Sequence, residues 1–332
     1  MMSKIAVIGA GSWGTALAFV LNKNGHQVCL WSNETEHVAS LQENRENLHF
    51  LPGIKIASDI LITADLAEAV MSVDGVVMAI PSHAMREVAL RLQTLVPEHA
   101  IFISVAKGFE PGTLYRMSQV LSEVFPQHSV AVLSGPSHAE EVGKEIPTAV
   151  VASAKDEKVA LWVQDLFSNA FLRVYTNDDM IGVEIGGAMK NIIAIGCGIC
   201  YGYGCGDNTE AAVLTRGLAE ITRLGVAMGA KASTFSGLAG IGDLVVTCGS
   251  MHSRNRRAGM MLGQGKSLDY VLSHMGMVVE GVNATKNGYA LAQQYQVELP
   301  ITASIYDILY NHATIEETSL RLMNRDKKDE RK

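Results

Sequence analysis

Through the first half of the chain, short unbroken apolar runs alternate with amphipathic stretches. Ile5-Ala6-Val7-Ile8 ends in glycines, and Gln27 to Trp31 is a second run. Gly75 to Ile80, Ile101 to Val105, Ser129 to Leu133 and Thr148 to Ala152 follow. Between the first two runs, Ala16, Leu17, Val20 and Leu21 fall on one face of a helix that stops at Gly25. Unbroken apolar strands alternating with helices are the mark of a parallel sheet covered on both faces. The expected fold is α/β, with an N-terminal doubly wound Rossmann-type domain. After about residue 180 the strand-like runs fade. Helical stretches punctuated by glycine take over: Met189 to Ile199, Ala211 to Met228, Leu268 to Ser273, Ala284 to Tyr295 and Ser304 to Tyr310. The expected division is a dinucleotide-binding domain over 1–185 and a mostly α-helical substrate-binding and catalytic domain over 186–332. The tail Arg325 to Lys332 is a charge run and reads as a solvated terminus.

Of the 332 residues, 48% are hydrophobic and 18% charged, which excludes a mainly disordered chain. Lys plus Arg is 27 against 34 for Asp plus Glu, a net charge of −7. That balance argues against nucleic acid as a partner, while a local basic cluster can still hold a small anion. Read run by run, no apolar stretch approaches the roughly 18 residues that span a bilayer. The strand pattern begins at once after Met1-Met2-Ser3, leaving no room for a signal peptide. A soluble cytoplasmic protein without membrane insertion is expected. Cys29, Cys197, Cys200, Cys205 and Cys248 are sparse, and no histidine follows at a zinc-like spacing. They read as small packed thiols, and no metal is expected.

Gly9-Ala10-Gly11-Ser12-Trp13-Gly14 directly follows the first strand and opens the first helix. Gly9 allows a tight turn, Gly11 lets backbone approach a pyrophosphate, and Gly14 lets helix and strand pack closely. The helix N-terminus then presents free N–H groups to the phosphates. The second strand should end near Ser32-Asn33, where an NAD-selective site places a carboxylate on the ribose 2′-hydroxyl. Asn33 leaves a 2′-phosphate unopposed, and Ser32 and Asn33 are possible donors to it; Glu34 reaching back is the competing reading. NADPH is expected to be accepted, with NADH also usable.

Several polar residues stand in apolar or glycine-rich surroundings. Lys107 follows the strand Ile101 to Val105 at the carboxyl edge where doubly wound sheets bind ligands, although a solvated loop lysine fits the pattern too. Ser134-Gly135-Pro136-Ser137-His138-Ala139 closes the next strand in the same way. Lys190 sits within an apolar helical run, either snorkelling to the surface or desolvated with a lowered pKa. Asp243, between glycine and leucine, is either functional or a helix N-cap. Ser253-Arg254-Asn255-Arg256-Arg257 is a concentrated basic stretch, either a solvated face or a phosphate clamp. Together they read as a nicotinamide cofactor, a lysine acid/base and an anion clamp.

With these segments, and with Ser104-Val105-Ala106-Lys107-Gly108, Met189-Lys190-Asn191 and Gly237 to Leu244, the chain resembles the bacterial NAD(P)-dependent glycerol-3-phosphate dehydrogenases nearly end to end. The resemblance implies hydride transfer between NADPH or NADH and dihydroxyacetone phosphate, giving sn-glycerol 3-phosphate for glycerophospholipid synthesis, in a homodimer. It implies that Lys190 donates and accepts the proton, with Lys107, Asn191, Asp243 and Thr247 lining the polar site; by charge accounting, Asp243 can orient that lysine and Lys107 can add a second positive charge near the carbonyl. Arg254 and Asn255 would hold the substrate phosphate, with Gly135, Ser137 and Ser253 on the substrate side. Gly9, Gly11, Ser12, Trp13, Gly14, Asn33, Lys107, Ala139, Arg254, Val278 and Glu280 would contact the cofactor. One rival is a β-hydroxyacid dehydrogenase of the 6-phosphogluconate type, in which lysine and asparagine lie one helical turn apart; Lys190 and Asn191 are adjacent. A dinucleotide-sensing regulator would need a DNA-reading helix, and no helix-turn-helix pattern is present.

Overall fold

Ile5, Ala6, Val7 and Ile8 each have 0% exposure, because β1 (Lys4–Ile8) runs through the interior of a sheet covered on both faces. Ile5 and Val7 join one apolar layer with Leu17, Val20 and Leu21, while Ala6 and Ile8 join the opposite layer with Val76 and Phe102. Side chains alternate across a strand, so a doubly covered strand must be apolar at every position. Each such side chain contributes about 1.5–3 kcal/mol on burial.

The computed structural model describes residues 2–276, 278–327 and 329–330. Residues 328, 331 and 332 of the charged tail lie outside the described residues. After β1 come the strands β2 (Gln27–Trp31), β3 (Glu46–Asn47), β4 (Leu51–Lys55), β5 (Leu61–Thr63), β6 (Gly75–Met78), β7 (Ile101–Ser104), β8 (Val130–Ser134), β9 (Thr148–Ala154) and β10 (Leu172–Asn177). Among the described residues, eight strands form one sheet in the order β10-β9-β8-β7-β6-β1-β2-β5, and β3 and β4 form a separate antiparallel hairpin. The chain turns back on itself between β1 and β6, the switch point at which open α/β sheets bind ligands. Helices α1 (Ser12–Lys23), α2 (Thr35–Asn44), α6 (Ala139–Gly143) and α7 (Glu157–Phe167) bury side chains in one layer. Helices α3 (Leu66–Ala69), α4 (Met85–Leu92) and α5 (Met117–Val124) bury theirs in the other.

The sheet is not wholly parallel. β8 and β9 pair antiparallel, with Val132 opposite Ser153, and β10 then runs parallel to β9. The connection between β8 and β9 holds only the five-residue α6. At about 1.5 Å per residue, a helix that short does not carry the chain back along a whole strand, so β9 enters from the end at which β8 leaves.

Helix α8 (Met180–Tyr203) is followed by α9 (Asp207–Ala227), α10 (Asp243–Gly249), α11 (Arg254–Gly263), α12 (Leu268–His274), α13 (Glu280–Gln294), α14 (Pro300–Tyr310) and α15 (Ile315–Met323). The chain divides into two compact units, Met1–Gly187 with Ser233–Asp243, and Ala188–Ala232 with Leu244–Lys332. This differs from a single cut after residue 185, because Ser233–Asp243 returns to the first unit. Thr234 Oγ1 donates to Asp179 Oδ2 at 2.6 Å, and Ala239 packs with Val132, Val151, Met180 and Val183. Helix α8 has the length to cross a membrane and holds an 18-residue stretch of mean hydropathy 1.4, yet 94% of that stretch is buried inside the protein. Counting unbroken runs missed it, because Glu184 and Lys190 interrupt the stretch.

In the second unit, α8 and α11 approach backbone to backbone. A Cβ on Gly198 would lie 2.2 Å from the Arg256 carbonyl oxygen, and one on Gly259 would lie 2.2 Å from that of Ile195. Glu220 of α9 is buried and caps α14 from outside. Its Oε1 accepts from Ile301 N at 2.6 Å, and its Oε2 accepts from Thr302 N and Thr302 Oγ1, both at 3.1 Å. Pro300 opens that helix with no N–H to satisfy, so the carboxylate takes the next two amides.

Burial pushes the Glu220 carboxyl above its ordinary range despite these donors. A carboxyl raised in the fold contributes stability that is complete below the ordinary glutamate range and is lost as pH climbs through the raised value. Thermal melts of wild type and Glu220→Gln across that range are therefore expected to show the Tm advantage of wild type shrinking with rising pH. An advantage that grows with pH contradicts the assignment.

Candidate functional site

Gly9 leaves β1 with φ +115°, a conformation that L side chains rarely adopt. A Cβ there would lie 2.4 Å from the Ala79 carbonyl oxygen, just past β6, so the turn is pressed into the switch point. A Cβ on Gly14 would lie 1.8 Å from the Gly9 carbonyl oxygen, so α1 rests directly on that turn. Gly11 is different. It is the N-cap of α1 with φ −72° and ψ −175°, extended backbone open to any residue, and nothing lies within 4 Å of its missing side chain. Neither strain nor protein packing requires glycine there. The open space faces the first N–H groups of a 12-residue helix, where an anionic group is stabilised. The residues present fit the pyrophosphate of a nicotinamide dinucleotide, with Gly11, Ser12 and Trp13 against it.

At the end of β2, Asn33 and Glu34 are both exposed, and Glu34 is the N-cap of α2. Ser32 is buried, with its Oγ 3.3 Å from His37 Nδ1. Its hydroxyl is thus engaged within the protein, and Asn33 and Glu34 are the side chains exposed at the strand tip.

Three further segments meet in the first unit. Lys107, after β7, donates from Nζ to the Gly135 carbonyl oxygen at 2.9 Å, to Ser137 Oγ at 3.1 Å and to Asp243 Oδ2 at 2.8 Å. Those bonds use all three ammonium protons. Asp243 has 0% exposure and stands first in α10. Gly135 takes φ +118° in the turn after β8, and Ala139 opens α6 as a buried residue.

The second unit holds Lys190 at 6% exposure, so its side chain is buried and does not snorkel to the surface. Its Nζ donates to Thr247 Oγ1 of α10 at 2.7 Å. The next residue, Asn191, faces another helix: its Oδ1 accepts from Asn255 Nδ2 of α11 at 2.9 Å. Asn255 Oδ1 in turn accepts from Gly281 N at 2.9 Å, beside Glu280 at the start of α13. Val278, just before that helix, is exposed.

The basic stretch is neither a solvated loop nor an open row of donors. Ser253 caps α11 by accepting from Arg256 N at 3.2 Å, Asn255 turns inward, and Arg254 is half-buried on the first turn. Arg256 is buried, donates to the Cys248 carbonyl oxygen at the end of α10, and lies 5.0 Å over the Tyr201 ring. The stretch is thus not a wholly solvated face, because Asn255 and Arg256 turn inward and bond to neighbouring helices.

Burial pushes the Cys200 thiol up to about 12, and the hydrogen bond with Cys197, then burial, raises Cys248 well above its usual value. Neutral thiols are poor nucleophiles and poor metal ligands. Among the described residues no group of His, Cys, Asp and Glu gathers as a metal site. The sequence reading passed over Asn47, which is buried and bonds to the backbone of the glycine loop. No motif or spacing marks it, since its partners lie 32 and 37 residues away.

Gly11 and Gly14 separate ligand from packing. Gly14→Ala is expected to destabilise the fold by roughly 1–3 kcal/mol, as overpacking does. Gly11→Ala is expected to cost at most about 1 kcal/mol, the worth of an N-cap, while weakening NADPH binding at least tenfold. Chemical denaturation and NADPH fluorescence titration check both. Unaltered NADPH binding in Gly11→Ala removes the ligand from the space above it.

Residues 4–160 match the family described as NAD-dependent glycerol-3-phosphate dehydrogenase N-terminus, and residues 179–319 match the corresponding C-terminus. The protein named glycerol-3-phosphate dehydrogenase (NAD(P)+) in Bacillus velezensis is 52% identical over 332 residues, 99% of this chain and 96% of that relative. Its namesake in Pelotomaculum thermopropionicum is 53% identical over 333 residues, 99% of this chain and 95% of that relative. The crystal structure of glycerol-3-phosphate dehydrogenase from Coxiella burnetii is 38% identical, with a TM-score of 0.94, covering 98% of this chain and 99% of that one. With both halves matched and the full length shared, the chain belongs to the NAD-dependent glycerol-3-phosphate dehydrogenase family, oxidoreductases that use NADH or NADPH.

Proposed function

We propose that the chain catalyses reversible hydride transfer between NADPH or NADH and dihydroxyacetone phosphate, giving sn-glycerol 3-phosphate, with Lys190 as the proton donor. The observation that carries this reading is a lysine with 6% exposure within α8, its Nζ donating to Thr247 Oγ1 at 2.7 Å. The bound nicotinamide supplies the hydride. As the carbonyl carbon is reduced, negative charge builds on its oxygen. A protonated Lys190 Nζ stabilises that charge and then donates its proton. In the reverse direction neutral Nζ takes the hydroxyl proton.

The phosphate is assigned to Arg254 at the first turn of α11, where guanidinium and helix N-terminus both favour an anion. Asn191, Thr247, Ser253 and Asn255 complete the substrate side in this unit. Lys107, neutralised by Asp243 and tied to Gly135 and Ser137, acts as a fixed polar cluster rather than a mobile acid. Gly9, Gly11, Ser12, Trp13, Gly14, Asn33, Ala139, Val278 and Glu280 are assigned to the cofactor. The product feeds glycerophospholipid synthesis, and the enzyme works in the cytoplasm as a homodimer.

Lys190→Met is expected to lower kcat by roughly 10²–10⁴-fold, the usual worth of a general acid, while NADPH binding persists. Near wild-type turnover in that variant overturns the assignment.

Binding energy from a phosphate remote from the reacting carbon serves positioning as well as affinity. Arg254→Ala is therefore expected to raise KM for dihydroxyacetone phosphate and to lower kcat, with Arg254→Lys recovering part of the loss. Unphosphorylated dihydroxyacetone should be a poor substrate that discriminates little between wild type and Arg254→Ala. Equal losses of kcat/KM on both substrates point instead to the cofactor or the fold.

A further inference from the structure

Asn47 ends β3, a two-residue strand whose pairing with β4 is irregular at this position, and it is 1% exposed. Its carboxamide makes four hydrogen bonds. Nδ2 donates to the Ala10 carbonyl oxygen and to Thr15 Oγ1, both at 2.8 Å. Oδ1 accepts from Phe50 N at 3.1 Å and from His37 Nε2 at 3.3 Å. Two donor protons and two acceptor positions are the whole capacity of an asparagine side chain. The amide orientation is set by chemistry, since the Ala10 carbonyl only accepts.

The two groups that Nδ2 holds are the two that aim the glycine loop. Ala10 lies between the strained Gly9 and the open Gly11, and its carbonyl orientation rotates the Gly11 N–H with it through the planar peptide. Thr15 is on the first turn of α1, and its N–H bonds to the Gly11 carbonyl oxygen at 3.0 Å. On the other side, His37 donates from Nε2, which leaves Nδ1 to accept from Ser32 Oγ at 3.3 Å. One connected chain of side chains thus runs from the end of β2, through His37 and Asn47, to the pyrophosphate turn.

We propose that Asn47 is a positioning residue for the nicotinamide nucleotide, holding the Ala10–Gly11 peptide and the first turn of α1 in the orientation that binds phosphate. The proposal rests on the glycine loop being the cofactor cradle. It does not touch the reacting carbon, so it acts on cofactor affinity and not on the chemical step.

The test is NADPH titration of the full-length enzyme, by nucleotide fluorescence, for wild type, Asn47→Asp and Thr15→Val. Asn47→Asp keeps the acceptor side but sets an oxygen against the Ala10 carbonyl. The Thr15 hydroxyl can turn to donate to that oxygen, so the Ala10 bond is the one replaced by repulsion, and the Kd for NADPH is expected to rise about tenfold or more. Thr15→Val keeps the shape and removes one acceptor, so a rise of roughly threefold is expected. In both variants KM for dihydroxyacetone phosphate and kcat at saturating NADPH should stay within twofold of wild type, a split that general loosening of the fold does not produce. If Asn47→Asp does not fold, Thr15→Val alone decides. A folded variant with unchanged NADPH Kd, or losses spread equally over NADPH, dihydroxyacetone phosphate and kcat, overturns the proposal. Failure of wild type itself to bind NADPH or NADH is a separate result and removes the cradle reading on which it rests.

Discussion

The contact between Gly14 and the Gly9 carbonyl is the constraint from which the first unit takes its function. With a Cβ only 1.8 Å from that oxygen, no other residue lets α1 sit on the turn leaving β1. The same turn is wedged against Ala79 beyond β6, at the point where the sheet reverses its order of growth. Helix, turn and switch point are therefore one rigid body of backbone. Its free N–H groups point at a space that the protein leaves open above Gly11. An anion-binding surface made of backbone needs such support, because it has no side chains with which to adjust.

The two lysines stand in different surroundings. Lys107 has its charge cancelled by Asp243 and its remaining protons taken by Gly135 and Ser137. Removing one partner of such a buried pair typically costs 3–5 kcal/mol, so the cluster is a structural commitment as much as a polar lining. Lys190 is more deeply buried, at 6% exposure against 18% for the Lys107 side chain, and its Nζ donates to Thr247 Oγ1.

Much of this was legible in the chain because it is local. Ile5 to Ile8, the glycines at 9, 11 and 14, and the apolar setting of Lys190 are each readable within a single element. What the sequence hid depends on partners far along it. The Lys107–Asp243 pair spans 136 residues, and Asn255 reaches Asn191 over 64. Strand β9 reads as apolar whichever way it runs, so its antiparallel pairing with β8 leaves no periodic trace. Helix α11 was obscured by its own composition, since Arg256 looks solvated until the Cys248 carbonyl oxygen and Tyr201 are seen around it. Asn47 carries no signal at all, being one polar residue in a short irregular hairpin.

Reduction of dihydroxyacetone phosphate by NADPH or NADH is the reaction that membership of this family assigns to the chain. It is tested most directly by offering wild-type enzyme NADPH with dihydroxyacetone phosphate and, separately, NADP+ with 6-phosphogluconate, following absorbance at 340 nm and identifying the product. The account predicts NADPH oxidation matched mole for mole by glycerol 3-phosphate in the first mixture, and no NADPH formation in the second. Turnover of 6-phosphogluconate, or no reaction in either mixture, contradicts it.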